Sequence, residues 1–472
     1  MRFIQPISIS TFRSPVFLII FLLAALVPTL TAQPVSSNAQ RYDSLAMKII
    51  TSALGQNKVI EILTELCTKI GSRLSGSLQA ATAVQWTKQK MKELGFTNVH
   101  TEPVMVPRWV RGSKEEGYYS LNKSRKKTAL HIAALGGSVG TSKKGIIAEI
   151  VEVKSWKELN KILEQVKGRI VFYNRPMDRS LISLGAAYAD AVDQRSQGAI
   201  EAARFGTAAA LVRSMTTRND DVPHTGGMNY VDSIPKIPAA SVSTNDANLL
   251  SKFLAEGKKV TVTLTLSCDT LPDVESANVL GELVGGEKPN EIILIGAHLD
   301  SWDKGQGAHD DGAGCIHALE ALRLLKELGI QPKRTIRVVL FMNEEHGLNG
   351  GSRMAKDREG EKLIAALESD AGGFSPRGLG ISDSAAQVTL SQYASLFRSI
   401  GADHITRGGG GSDIDPLMKK GVVCLALRVD GQRYFDYHRS DNDTIDKVNE
   451  RELVLGAAVE AIIAYIIAQE GL

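Results

Sequence analysis

Apolar and polar positions alternate with a helical period in the first part of the chain. In residues 41–105 apolar side chains recur every three or four positions, which predicts helices rather than strands. A second amphipathic segment, 80–94, ends at Gly95, a residue type that commonly follows the last turn of a helix. A turn-rich loop, 71–77, separates the two predicted helices. The apolar positions that define the first helix are Val59, Ile62, Leu63, Leu66 and Ile70.

The stretch from about 110 to 270 has a different rhythm, with short apolar segments between polar turns. This pattern is typical of β-strands, and residues 198–206 favour one short helix among them. His, Asp and Glu do not cluster in this part of the sequence as metal ligands would. The stretch is therefore either a structural insert or a lid that shapes a substrate site. Its predicted strands are 145–151, 168–173, 208–212 and 260–266.

From about residue 275 onward, predicted strands and helices alternate regularly. The strands are apolar nearly throughout, which is typical of a sheet that helices cover on both faces. We therefore predict an α/β fold with a mostly parallel central sheet. The predicted strands are 291–295, 335–341, 363–367 and 422–427, and the predicted helices are 312–328 and 451–469.

The first 32 residues differ from the rest of the chain. Arg2 and Arg13 precede an uncharged apolar run over 16–27, and small residues follow it. A basic start, a short apolar core and a small-residue end form the layout of a signal peptide. The run is short for a membrane span, although a retained anchor is the alternative. We predict export to the periplasm or the cell exterior, with cleavage between Thr31 and Gln33 and no stable membrane anchor.

The charge balance excludes some partners. The N-terminal segment holds two of the 55 basic residues and none of the 52 acidic ones, so the chain that follows is nearly neutral. Nothing in that balance favours nucleic acid or an anionic surface as a partner. The four cysteines lack metal-type spacing, and Cys315 and Cys424 lie in apolar runs where a buried free thiol is expected.

Acidic and imidazole side chains follow directly after several predicted strands. His298 and Asp300 follow one strand, Glu344 and Glu345 follow the next, and Asp370 follows a third. Because ligands gather at the carboxyl ends of the strands in an open α/β sheet, we expect these side chains to converge. Of the adjacent glutamates, only one is expected to bind metal directly, and the other can take the proton of a metal-bound water.

Asp310 and His438 complete a set of candidate ligands for two zinc ions. Two ions about 3.5–4 Å apart need a carboxylate that bridges them and further N and O ligands on each ion. Asp310 precedes the helix predicted from Gly312, whose positive end favours the ionised carboxylate. Asp300 lies two residues from His298, where it is suited to hydrogen-bond the imidazole.

These residues belong to sequence blocks that resemble the zinc exopeptidase family of bacterial leucyl aminopeptidases and glutamate carboxypeptidases. The resemblance covers nearly the whole chain after the signal segment and is strongest to the plasma glutamate carboxypeptidase branch. It rests on GSRLSGS, HLDSW, GQGAHDDGAG, NEEHG, ESDAGG and GSDID. It implies an α/β/α sandwich formed by residues 41–108 and 272–472. The middle stretch, 110–270, resembles an inserted, β-rich protease-associated domain through GRIVFYNR, GAIEAARFGTAAALV and IPAASVS.

The resemblance also implies the metal ligands. His298 and Asp370 would bind one zinc ion, and Glu345 and His438 would bind the other. Asp310 would bridge the two ions.

Further roles follow from the same resemblance. Glu344 would act as general base, and Asp300 would orient His298. Some relatives use a tyrosine just before the late histidine to stabilise the tetrahedral oxyanion. Tyr437 either has this role or packs against its neighbours.

Two features next to the motifs have alternative interpretations. The glycine loop 408–411, with Ser412 and Asp413, either offers backbone N–H groups to a substrate carboxylate or is a flexible connection. Asp311 either caps the helix that follows it or belongs to the site.

The function implied is that of an exported dizinc exopeptidase acting on dipeptides or short peptides with free termini. A metal-bridging hydroxide would attack the scissile carbonyl, with Glu344 as general base. An aminopeptidase of longer peptides is an alternative function. By analogy with the family, the enzyme is expected to be able to form a homodimer. From other classes, a glutaminyl cyclase would use a single zinc ion, and an inactive receptor-like relative would have lost ligands. Neither fits a complete second ligand set, formed by His298 and Asp370.

Overall fold

Two eight-stranded sheets organise the residues that the computed structural model describes, which are 37–55, 58–358 and 360–472. The predicted signal segment 1–32 lies outside these residues. The strands are β1 (Thr97–Val110), β2 (Glu115–Leu121), β3 (Thr128–Leu130), β4 (Ile132–Ala134), β5 (Ile146–Val153), β6 (Ile170–Tyr173), β7 (Ala209–Arg213), β8 (Ala239–Val242), β9 (Val260–Leu266), β10 (Asp269–Leu283), β11 (Lys288–His298), β12 (Arg334–Phe341), β13 (Lys362–Glu368), β14 (Pro376–Ile381), β15 (His404–Arg407) and β16 (Val423–Val429).

The described helices lie mostly around the first sheet and, within the inserted stretch, between residues 156 and 255. They are α1 (Ser37–Gln40), α2 (Asp43–Leu54), α3 (Lys58–Glu65), α4 (Leu78–Glu93), α5 (Trp156–Lys161), α6 (Leu163–Val166), α7 (Leu184–Ala191), α8 (Asp193–Ser196), α9 (Gly198–Ala203), α10 (Thr244–Ala255), α11 (Ala313–Glu327), α12 (Asn349–Asp357), α13 (Ser384–Ser391), α14 (Asp415–Met418), α15 (Tyr434–Tyr437) and α16 (Glu450–Glu470). Single π-helical turns continue α3 over Leu66–Ile70 and precede α11 over Ala308–Gly312.

The first sheet is mixed, with the strand order β1-β10-β12-β11-β13-β16-β14-β15. Its four central strands, from β12 to β16, are parallel. The pairs β1–β10, β10–β12 and β16–β14 are antiparallel, whereas β14–β15 is parallel. A mostly parallel order, as expected from the sequence, therefore holds only in the centre. The four central strands are the predicted ones. Their antiparallel neighbours β10 and β14 were not predicted, because β10 is exposed over much of its length and β14 contains a proline, an arginine and two glycines.

The second sheet is built from the inserted stretch and has the order β3-β2-β9-β5-β6-β7-β8-β4. The strands predicted there all form, and so does the short helix, as α9. Glu115 and Leu266 bound the sheet in sequence. The domain boundaries at 108–110 and 270–272 remain predictions.

One predicted helical region is partly wrong. The sequence predicted a helical region over 41–105, with its second helix ending at Gly95, but β1 begins at Thr97 and runs along the edge of the first sheet. Much of β1 is half-buried or exposed, so polar residues interrupt its apolar positions and obscure the strand pattern.

Helices α11 and α16 pack together against the first sheet and contribute much of its apolar core. α16 is long and apolar enough to cross a membrane by length and composition. However, 83% of its most apolar window is buried inside the protein, as in a core helix. The four cysteines are buried free thiols, as predicted for Cys315 and Cys424.

Candidate metal centre

His298 is the last residue of the central strand β11 and is fully buried. Its Nδ1 lies 2.9 Å from the backbone carbonyl oxygen of Asp300, an acceptor that fixes the proton on Nδ1. Nε2 is thereby left as a free nitrogen for a metal ion. The contact expected between the Asp300 carboxylate and this imidazole is therefore made by the Asp300 carbonyl instead.

The carboxylate of Asp300 has a different task. Its Oδ1 accepts the backbone N–H groups of Asn343 at 2.7 Å and Glu344 at 3.1 Å. Asn343 has a positive φ of 77° and donates from Nδ2 to Ser75 Oγ at 2.8 Å. The turn after β12 is thus held from two sides, and Asp300 positions Glu344.

Asp310 lies between the two predicted histidine ligands. Its Oδ1 is 3.5 Å from Nε2 of His298, and its Oδ2 is 3.7 Å from Nε2 of His438. The backbone N–H groups of His309 and Asp310 donate to the two carboxylate oxygens of Asp443 at 2.7 and 3.1 Å. Asp443 therefore fixes the turn that presents Asp310.

Arg73 supports the loop that joins His298 to Asp310. Its side chain is fully buried, and its guanidinium donates to the carbonyl oxygens of three loop residues. These acceptors are Leu299 at 2.6 Å, Gln306 at 2.9 Å and Gly307 at 3.0 Å. The turn-rich GSRLSGS segment thus contributes a buried cation that shapes the centre.

Asp370 follows β13 and completes the first predicted ligand set. Its Oδ1 is 3.6 Å from Nε2 of His298. Ligand atoms of His298, Asp310 and Asp370 all lie within 4.8 Å of one another. Glu344 lies beside this group, with Oε2 4.0 Å from His298 Nε2.

The second predicted set consists of Glu345, His438 and the shared Asp310. Glu345 and His438 are 5% and 4% exposed, respectively. Arg439, which the sequence analysis did not select, places its Nη2 3.0 Å from Glu345 Oε2. The same guanidinium lies 3.7 Å from Asp310 Oδ2 and 3.9 Å from Glu344 Oε2. Arg439 is thus a fixed positive charge beside three carboxylates.

The inserted stretch holds the segment that carries His438. His224 Nδ1 lies 2.7 Å from the carbonyl oxygen of His438, in a buried hydrogen bond. The N–H of Thr225 donates to the carbonyl oxygen of Arg439 at 2.9 Å. The Tyr188 ring meets the His438 ring edge-on, with centroids 5.3 Å apart. Loop residues and helix α7 of the inserted stretch therefore contribute to the geometry of the centre.

The donor atoms fit zinc. Zinc–ligand distances of about 2.0–2.2 Å correspond to separations of about 3.3–3.6 Å between tetrahedral ligand atoms. The distances of 3.5 and 3.6 Å from His298 Nε2 to Asp310 and Asp370 match that spacing. Several of these buried atoms accept or donate no hydrogen bond within the described residues, as expected of atoms reserved for a metal. They are His298 Nε2, Asp310 Oδ2, Glu344 Oε2, both Glu345 oxygens and Asp370 Oδ1.

Burial and nearby charges shift the pKa values of the side chains in the centre in different directions. Burial raises the pKa of Asp370 to about 6, although the nearby imidazole of His298 opposes the rise. For Asp310, burial alone would raise the pKa, but the nearby imidazoles of His298 and His438 and the charge of Arg439 lower it. Burial lowers the pKa of His438, and the Arg439 charge adds to this effect. Asp310 is therefore ionised and His438 neutral, the forms that bind metal.

A pocket of about 480 Å³ opens beside Asp370, a volume typical of small-ligand sites. Tyr434 lines it, whereas Tyr437 stacks on the ring of His309, with centroids 5.2 Å apart. Burial raises the pKa of Tyr434, and the charges of Asp310 and Asp370 add to the rise, which indicates a hydroxyl close to the centre. Of the two interpretations of Tyr437, packing fits the structure, whereas Tyr434 lines the pocket.

The remaining candidates separate clearly. Ser412 lines the pocket. Asp413 is fully buried and donates its backbone N–H to Glu368 Oε2 at 3.1 Å. Its side chain is therefore not a candidate for direct contact with substrate. Asp311 accepts the Gly314 N–H at 3.0 Å, which supports its interpretation as a helix cap.

Three residues of the centre escaped the sequence analysis, namely Tyr434, Arg439 and Asp443. Arg439 and Asp443 belong to the late block HRSDND around His438, where spacing from a ligand was the available signal. Tyr434 and Tyr437 could be separated only by the orientation of α15.

Comparisons with known proteins agree with this geometry. The sequence pattern of peptidase family M28 matches residues 278–465. Carboxypeptidase Q from Bos taurus is 36% identical over 93% of this chain and 92% of its own length. The human carboxypeptidase Q is 37% identical over 88% of this chain and 86% of its own length.

Solved structures show the same fold. The crystal structure of a peptidase M28 precursor from Shewanella amazonensis superposes with a TM-score of 0.86 at 35% identity. It covers 92% of this chain and 98% of its own. A zinc aminopeptidase from Bacillus subtilis shares the fold with a TM-score of 0.62 at 21% identity, over 85% of this chain and 94% of its own.

The mixed α/β fold and the histidine–carboxylate centre define a zinc metallopeptidase. With its extended similarity to carboxypeptidase Q, the chain belongs to peptidase family M28.

Proposed function

We propose that the chain is an exported dizinc exopeptidase that hydrolyses dipeptides or short peptides with free termini. The observation that carries the proposal is the position of Asp310. Its two carboxylate oxygens face Nε2 of His298 and Nε2 of His438, at 3.5 and 3.7 Å. One carboxylate shared by two ligand sets is the arrangement that a two-metal site requires. A single-zinc glutaminyl cyclase would not need the second set.

The two ions, when bound, would polarise the scissile carbonyl and lower the pKa of a bound water. His298 and Asp370 would hold one ion, and Glu345 and His438 the other. Glu344 does not complete either set, and its carboxylate is held beside the centre by the contact of its backbone N–H with Asp300. It is placed to take a proton from the attacking water and to pass it to the leaving amine.

Further parts of the proposal concern the surroundings of the site. The Tyr434 hydroxyl would donate to the tetrahedral oxyanion, the role first considered for Tyr437. The inserted stretch 110–270 would be a protease-associated domain that shapes the site, in line with its contacts to the His438 segment. The basic and apolar layout of residues 1–32 would direct export.

The test combines metal analysis with a dipeptide hydrolysis assay on the purified enzyme. We expect two zinc ions per chain, loss of activity on chelation and its return with added zinc. Glu344→Gln should lower kcat about 10²–10⁴-fold, because general-base catalysis contributes that much, while retaining both ions. Glu116→Gln, an exposed change of the same type, is the matched control.

Three outcomes would contradict the proposal. One is a single zinc ion at saturation. The others are full loading without hydrolysis of any dipeptide, and a Glu344→Gln enzyme as active as the control.

A further inference from the structure

The loop 299–309, which joins the first two predicted ligands and is called the metal loop below, is held by the inserted stretch. Three consecutive residues make the contacts, namely Trp302, Asp303 and Lys304. The Trp302 indole is buried in an apolar cluster formed mostly by strands of the second sheet. It lies so close to Gly136 that a Cβ there would overlap the ring. The metal loop is thus anchored in the core of the inserted stretch.

Asp303 is held by Arg111, which lies between β1 and β2, where the chain enters the inserted stretch. The guanidinium donates from Nε to one carboxylate oxygen of Asp303 at 2.8 Å and from Nη2 to the other at 2.6 Å. A bidentate pair of this kind fixes the direction of both groups as well as their distance. Nη1 of Arg111 also donates to Glu115 Oε1 at 2.7 Å, and Lys304 Nζ donates to the other oxygen of Glu115 at 2.9 Å. Two cations and two carboxylates therefore alternate across the junction.

These charged groups are largely withdrawn from water. The side chain of Arg111 is 11% exposed, and those of Glu115 and Lys304 are 15% and 16% exposed. For Glu115, burial alone would raise the pKa, but the charges of Arg111 and Lys304 lower it. Because removal of one partner leaves a buried charge unpaired, each pair in the cluster resists separation.

The same guanidinium reaches the segment that carries His438. Nη1 of Arg111 donates to the carbonyl oxygen of Ala134 at 2.7 Å, and Thr225 Oγ1 donates to that oxygen at 2.8 Å. Nη2 of Arg111 donates to Thr225 Oγ1 at 3.3 Å. The N–H of Thr225 in turn donates to the carbonyl oxygen of Arg439. Arg111 therefore contacts both the metal loop and the residue that holds the His438 segment.

We infer that Arg111 is a positioning residue of the metal centre, which acts through Asp303 and Thr225 to set the separation of the two ligand-bearing segments. The inference rests on the proposed function, which supplies the metal, and deepens it. The loss of a group that orients a metal ligand directly typically lowers metal affinity about 10–100-fold. Because Arg111 acts through one further residue, we expect a loss at the lower end, about tenfold.

The test measures the zinc affinity of the full chain by competition with a chromophoric chelator, together with the visible absorption spectrum of the cobalt(II)-loaded enzyme. Arg111→Gln should weaken zinc binding about tenfold and shift the cobalt spectrum, because the ligands change position. Arg337→Gln is the matched control, because this guanidinium is 8% exposed and also donates to two carboxylates at 2.7 Å, those of Glu282 and Glu361. It should lower the unfolding free energy and leave zinc affinity and the spectrum unchanged.

A second variant tests the route through Asp303. Asp303→Asn keeps the shape of the side chain and removes its charge, so it should also weaken zinc binding. If Arg111 acts through Asp303, the effects of the two changes do not add. The double variant, Arg111→Gln with Asp303→Asn, should then bind zinc no more weakly than Arg111→Gln alone.

Each result bears on the inference. Zinc affinity that is unchanged in Arg111→Gln, or lowered equally in Arg337→Gln, would overturn it, and losses that multiply in the double variant would overturn the route through Asp303. If Arg111→Gln does not fold, Asp303→Asn decides, and a wild-type affinity in that variant overturns the inference. A wild type that binds zinc but hydrolyses no dipeptide would overturn the proposed function alone, whereas an active wild type with an unaltered Arg111→Gln would overturn this inference alone.

Discussion

Tyr434 and Tyr437 lie three residues apart on one short helix, and only Tyr434 lines the pocket beside Asp370. The ring of Tyr437 stacks on the ring of His309 instead. Side chains three positions apart on a single helical turn share a face only in part, so a small rotation of α15 decides between them. Which tyrosine lines the pocket therefore depends on the orientation of α15, which no local sequence pattern indicates.

Replacing each tyrosine by phenylalanine tests this assignment. Tyr434→Phe should lower kcat about 10–100-fold with little change in KM, because it removes a donor to the oxyanion and leaves the ring in place. Tyr437→Phe should stay within about twofold of the wild type, because stacking does not need the hydroxyl. Steady-state kinetics on one dipeptide measures both. A larger loss for Tyr437→Phe would reverse the assignment.

At the scale of elements, the metal centre depends on loops that follow strands and on what anchors those loops. The segment from His298 to Asp310 carries two predicted ligands, and the guanidinium of Arg73 donates to the carbonyl groups of this segment. Because that side chain is fully buried, no water can replace a lost donor without rearrangement.

Arg73→Lys should therefore destabilise the fold by at least about 2 kcal/mol, since one ammonium cannot reach the three carbonyl groups and each unpaired buried acceptor costs about 1–3 kcal/mol. Denaturant unfolding of the metal-free enzyme measures the change. Arg125→Lys, at an exposed position, is the control and should be neutral. Equal stability of Arg73→Lys and the control would show that the loop does not rely on this residue.

The elements also show how far the sequence is informative. The strand pattern selected His298, Asp300, Glu344, Glu345 and Asp370 as residues that follow strands, whereas the predicted ligand roles, including those of Asp310 and His438, came from the resemblance to the zinc exopeptidase family. The mixed order of the sheet could not be predicted, because the strands that pair antiparallel were not themselves predicted: polar residues fill much of β10, and β14 contains a proline, an arginine and two glycines. Asp443 was not among the candidates, because its carboxylate fixes the Asp310 turn through backbone contacts that composition does not indicate.

For the whole molecule, the close contact of α11 with α16 places an imidazole deep in the core. His317 is fully buried, and its Nε2 lies so near Gly456 that a Cβ there would be 2.5 Å away. Burial lowers its pKa to about 3. An unfolded chain would bind a proton at this residue below about pH 6.5, and the folded protein would not.

The contribution of His317 to stability should therefore be fully present above about pH 6.5 and should decline as the pH falls toward 3. Relative to His317→Gln, which does not titrate, the wild type should lose about 2 kcal/mol of unfolding free energy between pH 7.5 and pH 5. Denaturant unfolding of both proteins at the two pH values measures this. His404→Gln, at an exposed position, is the control, and a pH-independent difference for His317→Gln would contradict the argument.

The hydrogen bond from His224 to the carbonyl of His438 has a consequence for the evolution of the chain. An insert that only decorated the enzyme could be shortened, exchanged or lost while catalysis continued. Here the inserted stretch holds the backbone of His438, a proposed zinc ligand, through a buried hydrogen bond, so we expect the two parts to be inherited together. We expect chimaeras that exchange this stretch between relatives to keep their metal only when the exchanged stretch supplies an equivalent hydrogen bond to the carbonyl of His438.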